Sequence, residues 1–435
     1  MDIIPLMKPP FKWDNYSDQP AILQDRDYKK KMRKAQSSSL LKTIFISFIM
    51  LPFSLLATPF VKRKEIDSQD FFCIGIDFER DPEETLKLLE ELDTSRVLLR
   101  LKLWEMDKLQ ILHDFIDKIP SKKITLKILQ DRENIEDHQL LENNLNNIFS
   151  TLENKVDFFE IGSTINRAKW GFFSVDEYIN FFQIAYNLKK KKFTDIKLIG
   201  SGVIDFEYHY TAHTLFNRAK YTYDAISALL YVDRRGAPEN SQLGFSLSDK
   251  IALLSTMVWL SKKVSQELHI TEVNWPISGT APYAPTSEHE CVSEELYGDY
   301  MLRYHLLAFA SQQIDSISWH QLIASGYGLL DSRDTLKKRT AFHTYKYMVQ
   351  NLKNAQFLRL DIKRDYYILQ VLIEDKILQI HWSLKDTSLK NEDFFEVFDK
   401  NGDSIKKEIL DIGSSPVYIF ITKEVGKKIN ASERM

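Results

Sequence analysis

After residue 70 the chain alternates between two kinds of segment. Short runs of β-branched and aromatic residues are followed by charged stretches of helical length, such as DPEETLKLLEEL and VDEYINFFQIAYNLKKKK, with apolar residues three and four apart. This alternation is typical of βα units around a parallel sheet. The eight predicted strands begin at Phe71 (FFCIGIDF), Val97 (VLLRLKLWE), Ile124 (ITLKILQ), Val156 (VDFFEIG), Ile196 (IKLIGSGVIDFE), Tyr223 (YDAISALLYV), Leu268 (LHITEVNW) and Ile314 (IDSISWHQL).

Eight strands in helical alternation predict a closed (β/α)8 barrel over residues 70–353. The main rival is a doubly wound open sheet. Such a sheet usually carries a glycine-rich phosphate turn after its first strand, and IDFERDPEE has none. The pattern therefore favours an α/β fold of the TIM-barrel class.

The hydrophobic pattern changes after residue 354. There the βα units are replaced by segments in which apolar residues recur at every second position, as in strands, such as YYILQVLIE and KILQIHWSL. Residues 354–425 are predicted to form a small antiparallel, β-sandwich-like accessory domain, and residues 426–435 a polar tail. Within this domain DKNGDS contains the Asn-Gly pair of a tight hairpin turn. A calcium loop is the alternative, but its carboxylate series stops short and no helix flanks it.

The N-terminal region carries a long uncharged stretch. The 19 residues between Lys42 and Lys62 carry no charge, so residues 41–61 are predicted to form a membrane anchor, although Pro52 and Pro59 weaken the pattern. The excess of basic residues before the stretch places residues 1–40 in the cytoplasm if it spans, as a single pass with the barrel on the periplasmic or extracytoplasmic side. The alternative is an interfacial or packing helix. A cleaved signal peptide fits poorly, because the leader is long and no A-x-A site follows.

Composition excludes several classes of function. The chain has 58 Lys plus Arg and 61 Asp plus Glu, a net charge of −3. It therefore lacks the excess of positive charge that is typical of nucleic-acid-binding proteins. Two cysteines, Cys73 and Cys291, exclude a disulfide framework. His209 and His213 lie four apart but lack the glutamate of the H-E-x-x-H motif. We expect neither a metal nor a cofactor.

Ligand sites of (β/α)8 barrels form at the carboxyl ends of the strands, and several of these ends are rich in acidic, basic and indole side chains. Aromatic faces beside charged groups suit a sugar, whose ring offers apolar faces and hydroxyls. For each tryptophan the alternative is that it fills a layer of the barrel core. The residues expected to contact a sugar are Arg100, Trp104, Glu160, Asn166, Trp170, His209, Tyr231, Asp233, Asn274, Trp275, Trp319 and His320.

The chain from Phe71 to Leu330 resembles the glycoside hydrolase superfamily whose barrels use two glutamates, on strands four and seven. ITEVNW around Glu272 is similar to the strand-seven nucleophile motif, Arg100 in LLRLKLW to the strand-two arginine, and ISWHQL to the strand-eight tryptophan motif. The tail SSPVYIFI is similar to the last strand of the accompanying β domain. YVDRRGAPENSQ and ITEVNWPISGTAPYAP also resemble a bacterial subgroup associated with surface polysaccharides.

One position departs from the family pattern. EIGSTINR has Ser163-Thr164 where the family has Asn-Glu, so the expected general acid is absent. Two-carboxylate hydrolysis then needs another acid, for which Asp205 and Glu207 at the end of strand five are the candidates, with Asp233 a further one unless it pairs with a neighbouring arginine.

The leading hypothesis is a membrane-tethered glycosidase-like enzyme acting on a cell-envelope polysaccharide, with Glu272 as nucleophile or base and Glu207 or Asp205 as acid. Glu160, inside strand four, is either a ligand contact or a buried carboxylate bonded to Arg100. The rival hypothesis is a non-catalytic carbohydrate-binding or polysaccharide-assembly factor. A lyase or aldolase is disfavoured, because no lysine stands out at a strand end.

Overall fold

The computed structural model describes residues 7–391 and 396–422, apart from the side chain of Arg234. The predicted polar tail at 426–435 and the last residues of the predicted accessory domain lie outside this range. Three parts are visible: an N-terminal segment, a barrel and a C-terminal antiparallel sheet.

The barrel is closed, as the sequence predicts. Its eight strands are all parallel, and the last pairs with the first, where Ile317 lies opposite Phe72. This pairing excludes the open-sheet alternative. The barrel strands are β1 Phe72–Gly75, β2 Arg96–Lys102, β3 Lys123–Leu129, β4 Phe158–Ile161, β5 Leu198–Ile204, β6 Ala225–Leu229, β7 Leu268–Val273 and β8 Ser316–Trp319.

Helices surround the barrel, and several begin at a side-chain cap that satisfies free backbone N–H groups. Ser174 caps α8, and Ser246 forms a reciprocal capping box with Asp249 at the start of α10. The helices are α1 Arg26–Ala35, α2 Ser37–Ala57, α3 Ser68–Phe71, α4 Pro82–Leu92, α5 Leu109–Ile116, α6 Arg132–Glu136, α7 His138–Leu152, α8 Val175–Lys191, α9 Tyr208–Leu215, α10 Leu247–Leu260, α11 Glu294–Ser311 and α12 Thr340–Leu352.

The C-terminal strands form a separate antiparallel sheet with the order β9-β10-β11-β15-β13, beside a two-stranded pair, β12 and β14. DKNGDS makes a tight turn in which the Gly402 N–H donates to the carbonyl of Asp399. The sheet is fixed to the barrel, since Trp382 donates to Glu239 at 2.9 Å and Lys400 pairs with Asp299 at 2.6 Å. The strands are β9 Gln356–Lys363, β10 Tyr366–Ile373, β11 Lys376–Ser383, β12 Thr387–Lys390, β13 Glu396–Phe398, β14 Ile409–Ile412 and β15 Val417–Thr422.

The N-terminal segment packs on the barrel. Trp13–Asp14 and Gln19–Pro20 pair as a short hairpin at the barrel mouth. α2 lies along the flank of the barrel against α8, α9 and α10. Residues Ser37–Phe60 make one helical stretch that is long and apolar enough to cross a membrane, judged by length and composition. The segment predicted as a separate tail thus contributes to the walls of the barrel mouth.

Candidate functional site

A cavity of about 180 Å³ opens at the carboxyl ends of the barrel strands. Wider surface grooves lie at the opposite end of the barrel, whereas parallel barrels place their ligands at the carboxyl end. The cavity lies at the end of the barrel where the sequence predicts a ligand site, and ligand binding there stays a prediction. The predicted site residues that line it are Arg100, Trp170, Tyr231, Glu272, Asn274 and His320.

Glu272 lies at the end of β7, with 16% of its side chain exposed. The hydroxyl of Tyr231 donates to its Oε1 at 2.9 Å, and Nζ of Lys127 lies 3.3 Å from its Oε2. Burial alone would raise the pKa of Glu272, but Lys127, His320 and Arg100, together with the Tyr231 hydrogen bond, hold this pKa at about 2. The carboxyl group is therefore an anion at any physiological pH.

Lys127 is the central cation of the barrel interior. It lies on β3, is 1% exposed, and lies between Glu272 and Glu160, whose Oε2 is 3.6 Å away. Glu160 also accepts a hydrogen bond from Thr271 at 2.9 Å, and burial raises its pKa. The sequence interpretation that paired Glu160 with Arg100 is wrong, because Lys127 lies closer on the neighbouring strand. A lysine within the apolar run KITLKIL was the signal that could have revealed this interior charge network.

The N-terminal hairpin supplies a carboxylate to the cavity. Asp18 forms an ion pair with Arg100 of β2 and lies 3.9 Å from Lys102. Burial would raise the pKa of Asp18, but Arg100 and Lys102 hold it at about 2. Sequence reasoning missed Asp18, since it assigned this region to the cytoplasm.

Two of the predicted sugar-stacking tryptophans contact the same hairpin. The ring of Trp13 lies 5.2 Å from that of Trp104 and 5.9 Å from that of Trp170, in tilted and edge-on geometry. Lys102 lies over the Trp13 ring at 4.7 Å. Trp104 therefore packs on the hairpin and does not line the cavity, while Trp170 contacts the hairpin and also lines it.

Asp205 and Glu207, the predicted acids, both pair with Arg167, at 2.6 and 2.8 Å. Asn166 donates a further hydrogen bond to Glu207 at 2.8 Å. Neither carboxylate lines the cavity, which Arg167 does. Thr164, from the strand-four motif EIGSTINR, lines the cavity. At this point of its wall the cavity thus has a hydroxyl and no carboxyl group.

Trp275 and Trp319 belong to the core and do not line the cavity. Both are fully buried, and their rings stack 6.0 Å apart. The indole N–H of Trp319 donates to Tyr297, and that of Trp275 to the carbonyl of Arg235. These tryptophans fill barrel layers, which was the alternative interpretation.

His209 and Asp233 also lie outside the cavity. His209 is on α9, and burial lowers its pKa. His213 contacts Thr43 of α2 at 2.8 Å and Asp176 at 3.5 Å. Among the described residues, no group of three or more His, Cys, Asp or Glu side chains is placed to hold a metal ion.

Two further cations line the cavity. The guanidinium of Arg235 stacks on Tyr231 at 3.6 Å and donates to the Asn274 carbonyl at 3.0 Å. Lys169 donates to Gln19 at 2.6 Å, and burial lowers its pKa to about 8. Within residues 7–391 and 396–422, neither cation has an ion-pair partner. The cavity therefore offers two cations that form no ion pair with any residue the structure describes.

Among the solved structures to which this chain is similar are several glycoside hydrolases. A family 39 glycoside hydrolase from Bacteroides cellulosilyticus WH2 is 14% identical with a TM-score of 0.65, and the match covers 82% of each chain. A family 30 endoxylanase from Clostridium papyrosolvens C71 is 9% identical, with a TM-score of 0.56 and coverage of 83% of this chain and 97% of that one.

A third such structure is the family 51 arabinofuranosidase from Xanthomonas axonopodis pv. citri, at 11% identity, a TM-score of 0.55 and coverage of 82% and 97%. The likeness is one of fold. No protein-family model and no curated protein sequence matches the chain. The chain therefore shares the (β/α)8-barrel fold of these proteins, and any activity has to be argued from its own site residues.

Proposed function

We propose that this protein acts on a glycosidic bond, with the Glu272 carboxylate as nucleophile or base. The observation that carries the proposal is the position of Glu272, whose carboxylate lies at the end of β7 in the wall of the cavity. The cations around it lower its pKa to about 2, which favours the ionised form. Nucleophilic attack on a sugar carbon requires an ionised carboxylate, and the Tyr231 hydroxyl holds it in one orientation. The glycoside hydrolase fold supports a carbohydrate ligand.

In the part of the chain that the structure describes, the cavity wall contains no evident acid that could protonate the leaving group. Thr164 cannot serve as a carboxylic acid, and Asp205 and Glu207 are held by Arg167 outside the cavity. A carboxylate paired with arginine is a poor proton donor. Glu207 or Asp205 would act as the acid only after Arg167 is drawn away by a bound sugar.

This arrangement favours a second candidate function, carbohydrate binding or polysaccharide assembly without cleavage. Such a protein needs the aromatic and charged cavity but not a proton donor. The specific observation in its favour is that Thr164 lines the cavity while Asp205 and Glu207 do not. The two candidates share a ligand and differ only in turnover.

For the substrate we propose a cell-envelope polysaccharide that carries acidic groups. The apolar helix α2 supports a membrane location, and the motifs after β6 and β7 resemble those of the surface-polysaccharide subgroup. Lys169 and Arg235 lack carboxylate partners in the described chain and line the cavity. A sugar carboxylate or phosphate would supply the missing anion.

Activated aryl glycosides separate the two functions, because dinitrophenolate leaves without a proton. The names of the similar structures make 2,4-dinitrophenyl β-xyloside and α-arabinofuranoside the first substrates to test. We expect dinitrophenolate release that Glu272→Gln abolishes. Glu267→Gln, at the other end of the same strand, is the matched control and should retain the rate.

Release that survives Glu272→Gln would refute the nucleophile assignment. A mass increase of one glycosyl group on the peptide that contains Glu272 would support it directly. Calorimetric binding of acidic oligosaccharides without release of any aryl group would establish the second candidate. The absence of both release and binding would refute both.

A further inference from the structure

The burial pattern of α2 is the inverse of a normal surface helix. Its buried residues are small and polar: Ser39, Thr43, Ser47 and Ser54. Their spacing of four, four and seven places them on one face. The opposite surface is apolar and exposed to solvent. The exposed large apolar residues of this stretch are Leu40, Leu41, Ile44, Phe45, Phe48, Ile49, Phe53, Leu55, Leu56 and Phe60.

The polar face is fitted to the barrel. Thr43 lies 2.8 Å from Nδ1 of His213, and Ser47 donates to the carbonyl of His209 at 3.1 Å. The Ser39 hydroxyl accepts a hydrogen bond from the backbone of Asp176 at 3.1 Å. These hydrogen bonds fix the position of α2 against α9.

Both ends of the apolar stretch are attached to the barrel. Lys42 pairs with Asp176 at 2.7 Å, and Thr256 lies 3.2 Å from Thr58. Lys64 then pairs with Asp315. A helix of 24 residues is about 36 Å long, enough to span a bilayer. With these contacts in place, however, spanning would draw the polar flank of the barrel into hydrocarbon, which is costly.

Cations flank the exposed apolar surface. The basic residues of α1 make no ion pair with any residue among 7–391 and 396–422, and Lys62 and Arg63 follow the other end of the stretch. Trp259, 44% exposed, lies beside Phe60 at that end. Apolar side chains bordered by basic residues and an indole suit the interface of an anionic bilayer. The basic residues of α1 are Arg26, Lys29, Lys30, Lys31, Arg33 and Lys34.

We propose that the protein docks on an anionic lipid bilayer as a monotopic protein, with the outward face of α2 in the lipid and the α1 cations at the headgroups. Residues 7–35 and the barrel then lie on the same side of the membrane. This proposal replaces the single-pass topology expected from the sequence. A second copy of the chain is a less suitable partner for the apolar face of α2, because a symmetric dimer interface would bring the basic residues of two α1 helices together. The proposal does not depend on catalysis.

Flotation of the full chain with sealed vesicles tests the lipid partner. Vesicles of equal parts phosphatidylglycerol and phosphatidylcholine should capture the protein at least tenfold better than phosphatidylcholine alone. The triple change Phe45→Ser, Phe48→Ser, Ile49→Ser should abolish capture. The triple change Lys30→Glu, Lys31→Glu, Arg33→Glu should remove the preference for anionic lipid.

The matched controls make the same kinds of substitution, apolar to serine and basic to glutamate, elsewhere on the surface. Leu358→Ser with Ile362→Ser removes exposed apolar residues of β9, and Lys190→Glu with Lys191→Glu reverses charges at the end of α8. Both should be captured as the unaltered chain is, and unchanged melting temperatures would show that every variant is folded. Equal capture of all variants would overturn the proposal, as would a dimer that the Phe45→Ser triple change dissociates.

Thiol labelling with a membrane-impermeant reagent tests the topology. Ser37→Cys and Lys62→Cys report the two ends of the apolar stretch, and the half-buried native Cys291 reports the barrel. On protein added to preformed vesicles, all three thiols should react fully without detergent. Protection of the cysteine at position 37, with reaction at position 62 and Cys291, would establish a spanning helix and overturn the monotopic arrangement.

Discussion

Asp18 is ion-paired with Arg100, so a residue from the start of the chain supplies the counterion of an arginine on barrel strand β2. The pair is mostly buried, with side chains 11% and 10% exposed. The hairpin that carries Asp18 therefore forms part of the cavity wall. Access to Arg100 from solution depends on whether this hairpin is docked.

Asp18→Asn should loosen the hairpin. Removing one partner of a buried pair leaves the other charge uncompensated, at a cost of about 3–5 kcal/mol. We expect tryptic cleavage after Lys12 to become at least about tenfold faster, since hairpin opening exposes that bond. Mass spectrometry of the first fragments measures this. Asp27→Asn, on exposed α1, is the control and should cleave at the original rate.

The hairpin should remain docked in mild acid. The pKa of Asp18 is lowered from 3.8 to about 2, so its contribution to stability is complete above about pH 4 and is lost as the pH falls towards 2. Tryptophan emission follows docking, because Trp13 lies against Trp104. A change in emission centred near pH 6 would contradict this assignment.

Lys127→Met should destabilise the barrel strongly. The change leaves Glu160 and Glu272 buried together without their shared cation, at a cost of about 3–5 kcal/mol in the free energy of unfolding. Urea denaturation measures it. Adding Glu160→Gln should recover part of the loss, since one of the two uncompensated charges is removed. A double variant no more stable than Lys127→Met would contradict this charge arrangement.

The rate on an activated aryl glycoside should not vary between about pH 4 and 7. Glu272, with a pKa of about 2, is ionised throughout this range, and His320, whose pKa burial lowers to about 3, is neutral. The profile of kcat/KM against pH measures this. An acidic limb near pH 5 would show that another group controls the reaction.

Lys169→Met should weaken the binding of acidic oligosaccharides about ten- to hundredfold while leaving neutral ones nearly unchanged. Charge-assisted hydrogen bonds of this kind are worth about 1.5–3 kcal/mol. In the unaltered protein, affinity for acidic sugars should fall above pH 8, where Lys169 loses its proton. Calorimetry with matched acidic and neutral ligands measures both effects, and equal losses for the two ligands would contradict the role of Lys169.

The barrel could be predicted because each strand and helix carries its own local pattern. The strand end at Glu272 followed from the same periodicity. Parallel barrels bind their ligands at the carboxyl ends of the strands, and this rule pointed to the end that carries the cavity. Lys127 escaped notice because one charged residue in an apolar strand does not reveal which carboxylates face it across the barrel. Trp275 and Trp319 were assigned to the ligand because burial depends on neighbouring helices, which a strand-end position does not specify. Asp18 was missed because its contact with Arg100 joins segments 82 residues apart.

Shortening the chain to begin after the apolar helix would be a natural way to obtain protein without its most apolar segment. Such a protein would lose Trp13, Ser17, Asp18 and Gln19, and with them one side of the cavity. Its wider groove would expose Arg100, Trp104 and Trp170 together. Longer or differently charged sugars could then bind, so the specificity measured would belong to the shortened protein. Substrate screens should therefore begin with the intact chain in lipid or detergent.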